Sequence, residues 1–297
     1  MKKLPLSLED LWIRRWTKSL GNWSTSQVRH GIGHDCAVLS SFPSHLDVVL
    51  KTDAVVEGVH FTRSTPAGLA GRKALARALS DLAAAGATPR AALITAGCPN
   101  LRSASRLHQA YRGLSILAKQ FQLSIVGGET IRTRQLLLSI SLLGTVPKKT
   151  SPNRAGARPG HLLFVTGKLG GSWPRRHLTF TPRLAEGQWL VRNKFPSAML
   201  DLSDGLGADL PRLARASRIG FRIYPDQIPL SPRATSKLAF TRGEDYELLF
   251  SVPPKLASSL LRRWPFPTPL TVIGSCLPIR QGYHTGGLPL RGYDHLS

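Results

Sequence analysis

Apolar and polar positions alternate along this chain with two periods, one typical of strands and one typical of helices. Val-rich alternation over 47–53 and 55–61 predicts two strands. The Ala- and Leu-rich spacing of 68–86 predicts a long helix, which Gly86 and Pro89 end. In the same half of the chain we predict helices at 7–20, with Ser7 as a candidate N-cap, and 102–121, and strands at 90–97, 123–127 and 135–146.

A stretch rich in proline, glycine and basic residues, PKKTSPNRAGARPG at 147–160, is the best candidate for a domain linker. It predicts two domains, 1–149 and 150–297. Residues 173–196 show no clear pattern, and the final RGYDHLS predicts an end that lies on the surface. In the second half we predict strands at 161–166, 198–203, 220–224, 246–252 and 270–274, and helices at 204–217 and 254–264. Mixed elements of this kind favour an α/β or α+β fold.

Several features argue against a membrane or secreted protein. The longest apolar run, 136–146, contains two serines and is too short to span a bilayer. Near the N-terminus, Glu9 and Asp10 stand where a signal peptide needs apolar residues. The three cysteines are far apart and lack the spacing of a metal site or of a disulfide framework. We therefore expect a soluble, cytoplasmic protein.

The net charge of the chain is +23, from 40 Lys and Arg against 17 Asp and Glu. Such a field attracts polyanions, including nucleic acid and nucleotides. The basic residues are spread along the whole chain, and no aromatic RNA-binding motif accompanies them. Nucleic-acid binding is therefore disfavoured, and it stays an alternative that rests on the charge alone.

The few acidic residues are concentrated in short, mostly apolar segments. Most of these segments fall at the end of a predicted strand or in the turn after it, where open α/β sheets bind ligands. Single acids have simpler explanations: Asp204, for instance, is well placed to cap the helix that follows. Asp81 falls on the helical stripe of Ala74, Ala78 and Ala85, where a buried carboxylate needs a partner.

Carboxylates that converge on one site need cations, because two like charges 4 Å apart repel by about 4 kcal/mol at an effective dielectric near 20. Mg²⁺ held by a few carboxylates and by substrate phosphates meets that need. The sequence contains no GxxxxGK[ST] loop, no GxGxxG and no HRD or DFG motif. The sequence thus predicts a nucleotide site built from aspartates and Mg²⁺.

Eight motifs, taken in order, resemble those of the thiamine-monophosphate kinase family, in the superfamily that includes aminoimidazole ribonucleotide synthetase. They are GIGHDCAVL, TDAVVEGVHF, KALARALSDLAAAGATPRAAL, VGGETIR, RAGARPGHLLFVTGKLGGS, AMLDLSDGLGADL, RGEDYELLF and the terminal GYDH. The resemblance covers nearly the whole chain. It implies Mg²⁺-dependent, in-line phosphoryl transfer from ATP to thiamine phosphate. It also implies a homodimer whose N-terminal domains form a shared β-barrel, with an α/β C-terminal domain on each.

The resemblance also assigns site residues. The expected Mg²⁺ positions are Asp35, Lys51, Thr52, Asp53, Asp81, Glu129, Asp201 and Asp204, and the expected ATP contacts are Gly128, Glu129, Arg154 and Ser203. His60, Glu244 and Leu290 match positions near thiamine phosphate. No catalytic base is expected, because the attacking phosphate is already ionised near neutral pH.

The chain departs from the family pattern at several positions. His34 replaces an aspartate, Lys51 falls where the family often has Ser or Thr, and Glu129 replaces Asp or Asn. Arg242 replaces a glycine, Leu290 falls where the family often has an aromatic residue, and the segment around 173–196 has lost most of a helix. These changes bear on substrate choice, so another ATP-using enzyme of the superfamily, acting on an aminoimidazole precursor, a hydrogenase-maturation substrate or selenide, stays an alternative.

Overall fold

The computed structural model describes residues 28–30, 34–40, 45–100 and 104–294. The predicted helix at 7–20 and its candidate cap Ser7 lie outside these residues. Within them, every helix is too short or too polar to cross a membrane. The cytoplasmic location stays a prediction.

The first half of the chain forms a sheet of six strands in the order β1-β2-β3-β6-β4-β5. All neighbours are antiparallel except β4 and β5, which are parallel. Its strands are β1 (Val28–His30), β2 (Ala37–Ser40), β3 (Leu46–Val56), β4 (Thr88–Cys98), β5 (Ser124–Arg132) and β6 (Leu137–Pro147). The two strands predicted over 47–61 are in fact one strand, which ends at Val56 because a turn follows, with the His60 amide bonded back to the Val56 carbonyl.

Two helices, α1 (Ala67–Ala84) and α2 (Ala104–Gln120), cover one face of this sheet. They approach each other closely: a Cβ on Gly71 would lie 1.9 Å from the Ala110 carbonyl oxygen, and one on Gly113 would lie 1.9 Å from that of Gly68. Glycine is required at both positions for this contact. The close packing leaves α1 almost wholly buried, including its polar residues Lys73, Ser80 and Asp81.

The second half forms another six-stranded sheet, in the order β12-β9-β11-β7-β10-β8. Its strands are β7 (Leu162–Thr166), β8 (Ala198–Asp201), β9 (Gly220–Ile223), β10 (Leu248–Val252), β11 (Leu270–Leu277) and β12 (Tyr283–His284). Its helices are α3 (Arg176–Thr179), α4 (Leu184–Arg192), α5 (Leu206–Ser217), α6 (Ser236–Thr241) and α7 (Pro254–Arg263). The described residues thus make a mixed α/β fold of two sheets and seven α-helices.

The segment 173–196 differs from its prediction, because it contains the two helices α3 and α4. Ion pairs with the buried Glu247 hold it in place: Glu247 accepts hydrogen bonds from Arg176 at 2.5 Å and from Arg183 at 2.7 Å, and also from the Thr166 hydroxyl at 2.8 Å. These contacts join residues far apart in sequence, so no local pattern reveals them.

Helix α1 joins the two halves of the chain. It packs on β3 and β6 of the first sheet and against α3, α4 and β8 of the second half. One hydrophobic core runs through this junction and contains residues of both halves, such as Leu79 and Phe250. The division into domains at 149/150 stays a prediction, whereas the junction itself brings the acidic segments together.

Candidate functional site

Three carboxylates from distant parts of the chain meet at the junction. Asp35 precedes β2, Asp81 lies in the last turns of α1, and Asp201 ends β8. One carboxylate oxygen of each lies within 4.8 Å of those of the other two, and Asp81 and Asp201 are buried. We call these three residues the acid cluster.

Each member of the acid cluster has a polar partner. The Lys51 Nζ lies 2.9 Å from Asp81 Oδ2, and Ser80 donates a hydrogen bond of 2.6 Å to Asp201 Oδ2. Arg154 donates to both oxygens of Asp35, from Nε at 3.0 Å and from Nη2 at 2.9 Å. The partner that the buried Asp81 needs is therefore Lys51, on the neighbouring strand β3.

Burial and mutual repulsion disfavour full ionisation of the cluster. Burial raises the pKa of Asp81 well above its usual value, and the nearby Asp201 adds to that effect while Lys51 opposes it. Burial, and then the Asp35 charge, raise the pKa of Asp201 to about 7. Burial alone would lower the pKa of Lys51, but Asp81 and Asp53 raise it above its usual value, so the ammonium stays charged.

The acid cluster fits a hard divalent cation. Its donors are carboxylate oxygens, which Mg²⁺ and Ca²⁺ prefer, and a bound cation would relieve the repulsion that raises the pKa of Asp201. Lys51 and Arg154 already neutralise part of the charge. Mg²⁺ would be held by Asp35, Asp81 and Asp201.

A pocket lies beside the acid cluster, lined by His60, Arg77, Ser203, Asp204 and other residues. Arg77 lines the pocket and lies one turn of α1 before Asp81, with its Nε 3.2 Å from Asp53 Oδ2. Asp204 forms an ion pair with Arg212 of α5. It does not cap that helix, whose N-cap is Gly205 without a side-chain cap, so the capping interpretation of Asp204 is wrong.

Glu244 forms the centre of a charged network on the pocket wall. Its two oxygens lie 2.6 and 2.8 Å from Lys73 Nζ, and one lies 2.9 Å from His177 Nδ1. Burial acts to raise the pKa of Glu244, but hydrogen bonds from His177 and Lys73 lower it overall. Burial lowers the pKa of Lys73 to about 8 despite Glu244. The Glu244 carboxylate is thus held ionised in a fixed position.

Aromatic side chains form the outer part of the pocket. Trp173 and Tyr293 line both this pocket and an adjoining cavity of about 510 Å³. The Trp173 indole stacks on the His177 ring, with centroids 3.9 Å apart and an angle of 22° between the planes. Trp173 itself remains 41% exposed to solvent. A flat aromatic surface is therefore available beside a fixed carboxylate.

Several predicted site residues lie at this junction. Asp35, Asp81 and Asp201 form the cluster, Lys51 and Arg154 bind it, and Asp53 pairs with Arg77 of the neighbouring pocket. Ser203, Asp204, His60 and Glu244 line the neighbouring pocket. Asp53 lies within β3, not at the end of a strand as the pattern predicts, because β3 continues to Val56.

Other predicted residues are not brought to the acid cluster. Thr52 points to the opposite face of β3 from Lys51 and Asp53 and bonds with Ser141 at 3.2 Å. Glu129 is exposed on β5, and Leu290 packs against a separate hydrophobic core formed within the second half of the chain. Gly128 is needed for packing, since a Cβ there would lie 2.0 Å from the Ile94 carbonyl oxygen. The assigned roles of these four residues stay predictions.

Two departures from the family pattern have clear structural readings. Arg242 has φ −96° and ψ 130°, an extended conformation that needs no glycine, so the expected change in a tight turn does not arise there. His34 lies beside His30, with ring centroids 5.2 Å apart. Burial, and then the charges of His30 and Arg154, lower the pKa of His34, so it adds no positive charge at neutral pH.

Sequence reasoning missed Lys73, Arg77, Trp173, His177 and Tyr293. One signal was available: Lys73, Arg77 and Asp81 recur every four residues and so share one face of α1. Tyr293 belongs to the terminal GYDH motif, to which no site role was assigned, and the other two gave no local signal. Trp173 and His177 lie in a segment without a clear pattern, and Tyr293 reaches the pocket from the chain's last segment.

The chain is similar to proteins of known activity. Residues 33–146 match the family described as AIR synthase related protein, N-terminal domain. The thiamine-monophosphate kinase of Rhodopirellula baltica is 36% identical over 267 residues, which cover 84% of this chain and 83% of that protein. The enzyme of Escherichia coli K12 is 33% identical over 311 aligned residues, covering 92% and 94%.

A solved structure gives the same picture. AaThiL complexed with AMPPCP and TMP superposes with a TM-score of 0.82 at 28% sequence identity, covering 99% of both chains. The two folds therefore correspond over their full lengths.

Proposed function

This chain belongs to the thiamine-monophosphate kinase family, and we propose that it transfers the γ-phosphoryl group of ATP to thiamine phosphate, giving thiamine diphosphate and ADP. One observation carries the proposal: a cluster of three aspartates lies beside a pocket that joins an aromatic surface to a fixed carboxylate. The aspartate cluster suits a nucleoside triphosphate with its metal ion, and the pocket suits a cationic heteroaromatic substrate.

Phosphoryl transfer mainly requires positioning and the neutralisation of charge on the phosphate oxygens. Mg²⁺, when bound by Asp35, Asp81 and Asp201, supplies that neutralisation. Arg154 and Ser80 keep two of the three carboxylates oriented by direct hydrogen bonds. The attacking group is a phosphate oxygen of thiamine phosphate, already ionised near neutral pH, so the chain needs to align it and does not need to deprotonate it.

The pocket suits the organic part of thiamine phosphate. A thiazolium ring carries a positive charge, which the face of an aromatic ring attracts. Trp173 and Tyr293 offer such faces, and Glu244 and Asp204 add carboxylates to the same pocket. Arg77, on the pocket wall one turn of α1 before Asp81, is placed to direct the substrate phosphate towards the acid cluster. We therefore assign substrate selection to Trp173 and Tyr293, in addition to His60 and Glu244.

Replacement of Trp173 by alanine is expected to raise KM for thiamine phosphate by about tenfold while kcat changes little, since a desolvated aromatic–cation contact contributes about 1–2 kcal/mol. Steady-state kinetics with saturating ATP measure both constants. Trp173→Phe keeps an aromatic face and should keep KM near that of the parent. An unchanged KM in Trp173→Ala would remove Trp173 from the substrate site.

The second part of the proposal is a homodimer. The sheet face opposite α1 and α2 carries exposed apolar residues on β3, β4 and β6, namely Leu50, Leu93 and Leu143. Beside them, the edge strand β5 exposes Val126 to 63%. In the described residues this sheet is open, since β1 and β5 are its two edges. A second copy of the chain would cover this face, and the two sheets would then form the shared barrel that the family resemblance implies.

Val126→Lys is expected to shift the protein from dimer to monomer, because a charge buried without a partner opposes association. Size-exclusion chromatography with light scattering measures the mass. Ile116, 71% exposed on α2 on the other side of the sheet, provides a matched control. Ile116→Lys should stay dimeric, and a monomeric parent protein would contradict the proposal.

A panel of substrates tests the proposed reaction. The protein is incubated with ATP and Mg²⁺ together with thiamine phosphate, selenide or an aminoimidazole precursor, and ADP release is measured. We expect release that depends on thiamine phosphate alone. Release with another substrate would favour a different enzyme of the superfamily. Nucleic-acid binding that does not depend on Asp81 would favour the alternative suggested by the net charge of +23.

A further inference from the structure

Lys51 occupies an unusual position for a lysine. On β3 its side chain shares the inward face with Val49, Asp53 and Val55, and only 22% of it is exposed. Its ammonium lies 2.9 Å from Asp81 Oδ2. A long, strongly hydrated side chain is seldom placed on an inward face unless an acid compensates the charge.

The ammonium contacts the acid cluster directly, through Asp81. One carboxylate oxygen from each of Asp35, Asp81 and Asp201 lies within 4.8 Å of the other two. At this distance the negative charges repel one another, and nearby cations must offset that repulsion. Arg154 takes up both oxygens of Asp35 and Lys51 takes up one of Asp81. The side chains of Arg154 and Lys51 thus supply two of the positive charges that the acid cluster needs.

We propose that Lys51 is a resident cation of the nucleotide site, and that its ammonium takes the place beside Asp81 that a divalent ion would take if residue 51 were neutral. The ion that Asp35, Asp81 and Asp201 would share remains, and the site binds one divalent ion fewer than it would with a neutral residue 51. The inference rests on the proposed function only in assigning the cluster to ATP; the role of Lys51 follows from its contact with Asp81.

The proposal has a direct consequence for a neutral residue at this position. Lys51→Thr exposes Asp81 to its acidic neighbours without compensation and frees one carboxylate oxygen for a metal. A divalent cation should bind the variant more tightly, because a positive charge that repelled it has been removed.

Mn²⁺ binding to the nucleotide-free, full-length protein tests this. The free ion is counted by electron paramagnetic resonance during a titration. We expect Lys51→Thr to bind one Mn²⁺ more per chain than the parent. The dissociation constant of the first Mn²⁺ should be lower in the variant by about tenfold or more. Lys51→Arg keeps the charge and should resemble the parent. Lys119→Thr removes the same charge from an exposed position on α2 and is the matched control.

Thermal unfolding with and without Mn²⁺ gives a second readout. Mn²⁺ should raise the Tm of Lys51→Thr more than that of the parent, and it should restore folding if the variant is unfolded without metal. Equal Mn²⁺ counts and affinities in the parent and Lys51→Thr would overturn the proposal, as would a variant that Mn²⁺ fails to fold. These measurements contain no thiamine phosphate, so their failure is distinct from a failure of the kinase proposal.

Discussion

Replacement of Asp201 by asparagine is expected to lower kcat/KM by about 10²–10³-fold, the usual effect of removing one preorganised electrostatic contact from a transition state. Asp201 ends β8 and belongs to the acid cluster. Asparagine has nearly the same shape and can still accept the hydrogen bond from Ser80. The loss would therefore reflect the missing charge.

The control for this variant is another aspartate. Asp226 is exposed in a short turn remote from the cluster in sequence, so Asp226→Asn should keep the activity of the parent protein. ADP release with saturating ATP and Mg²⁺ measures both variants, and thermal unfolding checks that both are folded. An Asp201→Asn protein that is folded and fully active would remove the acid cluster from the reaction.

Replacement of Glu247 by alanine is expected to lower the free energy of unfolding by about 2–3 kcal/mol, because it removes a buried carboxylate that accepts charged hydrogen bonds from two half-buried arginines. Glu247 is fully buried and binds Arg176, Arg183 and the Thr166 hydroxyl. Urea unfolding followed by circular dichroism measures the change.

The control is again an acid outside the network. Asp226→Ala removes an exposed carboxylate and should change the free energy of unfolding by about 0.5 kcal/mol or less. The comparison separates the buried network from a general effect of removing one negative charge from a basic chain. A Glu247→Ala protein as stable as Asp226→Ala would show that the network does not hold the 173–196 segment.

The sequence predicts most regular elements because their periodicity is local. The helix predicted at 68–86 corresponds to α1, Ala67–Ala84, and the strand predicted at 135–146 corresponds to β6, Leu137–Pro147. The elements that were missed are short or depend on distant contacts. Helix α3 is four residues long and is held by the pairing of Arg176 with Glu247, so its own residues carry too little information to define it.

The candidate site shows the same division. Its acids are conspicuous because this basic chain has few of them, and the resemblance to a known family puts Asp35, Asp81 and Asp201 in one site, where the structure has them. The partners of those acids could not be read from the sequence. The contact between Lys51 and Asp81 links a strand to a helix, and the pairing of Lys73 with Glu244 links the two halves of the chain.

Phosphorus-31 NMR of a reaction mixture with this protein follows the conversion of ATP and thiamine phosphate into ADP and thiamine diphosphate. With Mg²⁺ present, we predict that the γ-phosphate signal of ATP is replaced by the signals of ADP and thiamine diphosphate in equal amounts. ATP that stays intact, or that yields inorganic phosphate while thiamine phosphate is unchanged, would show that this chain is not a thiamine-phosphate kinase.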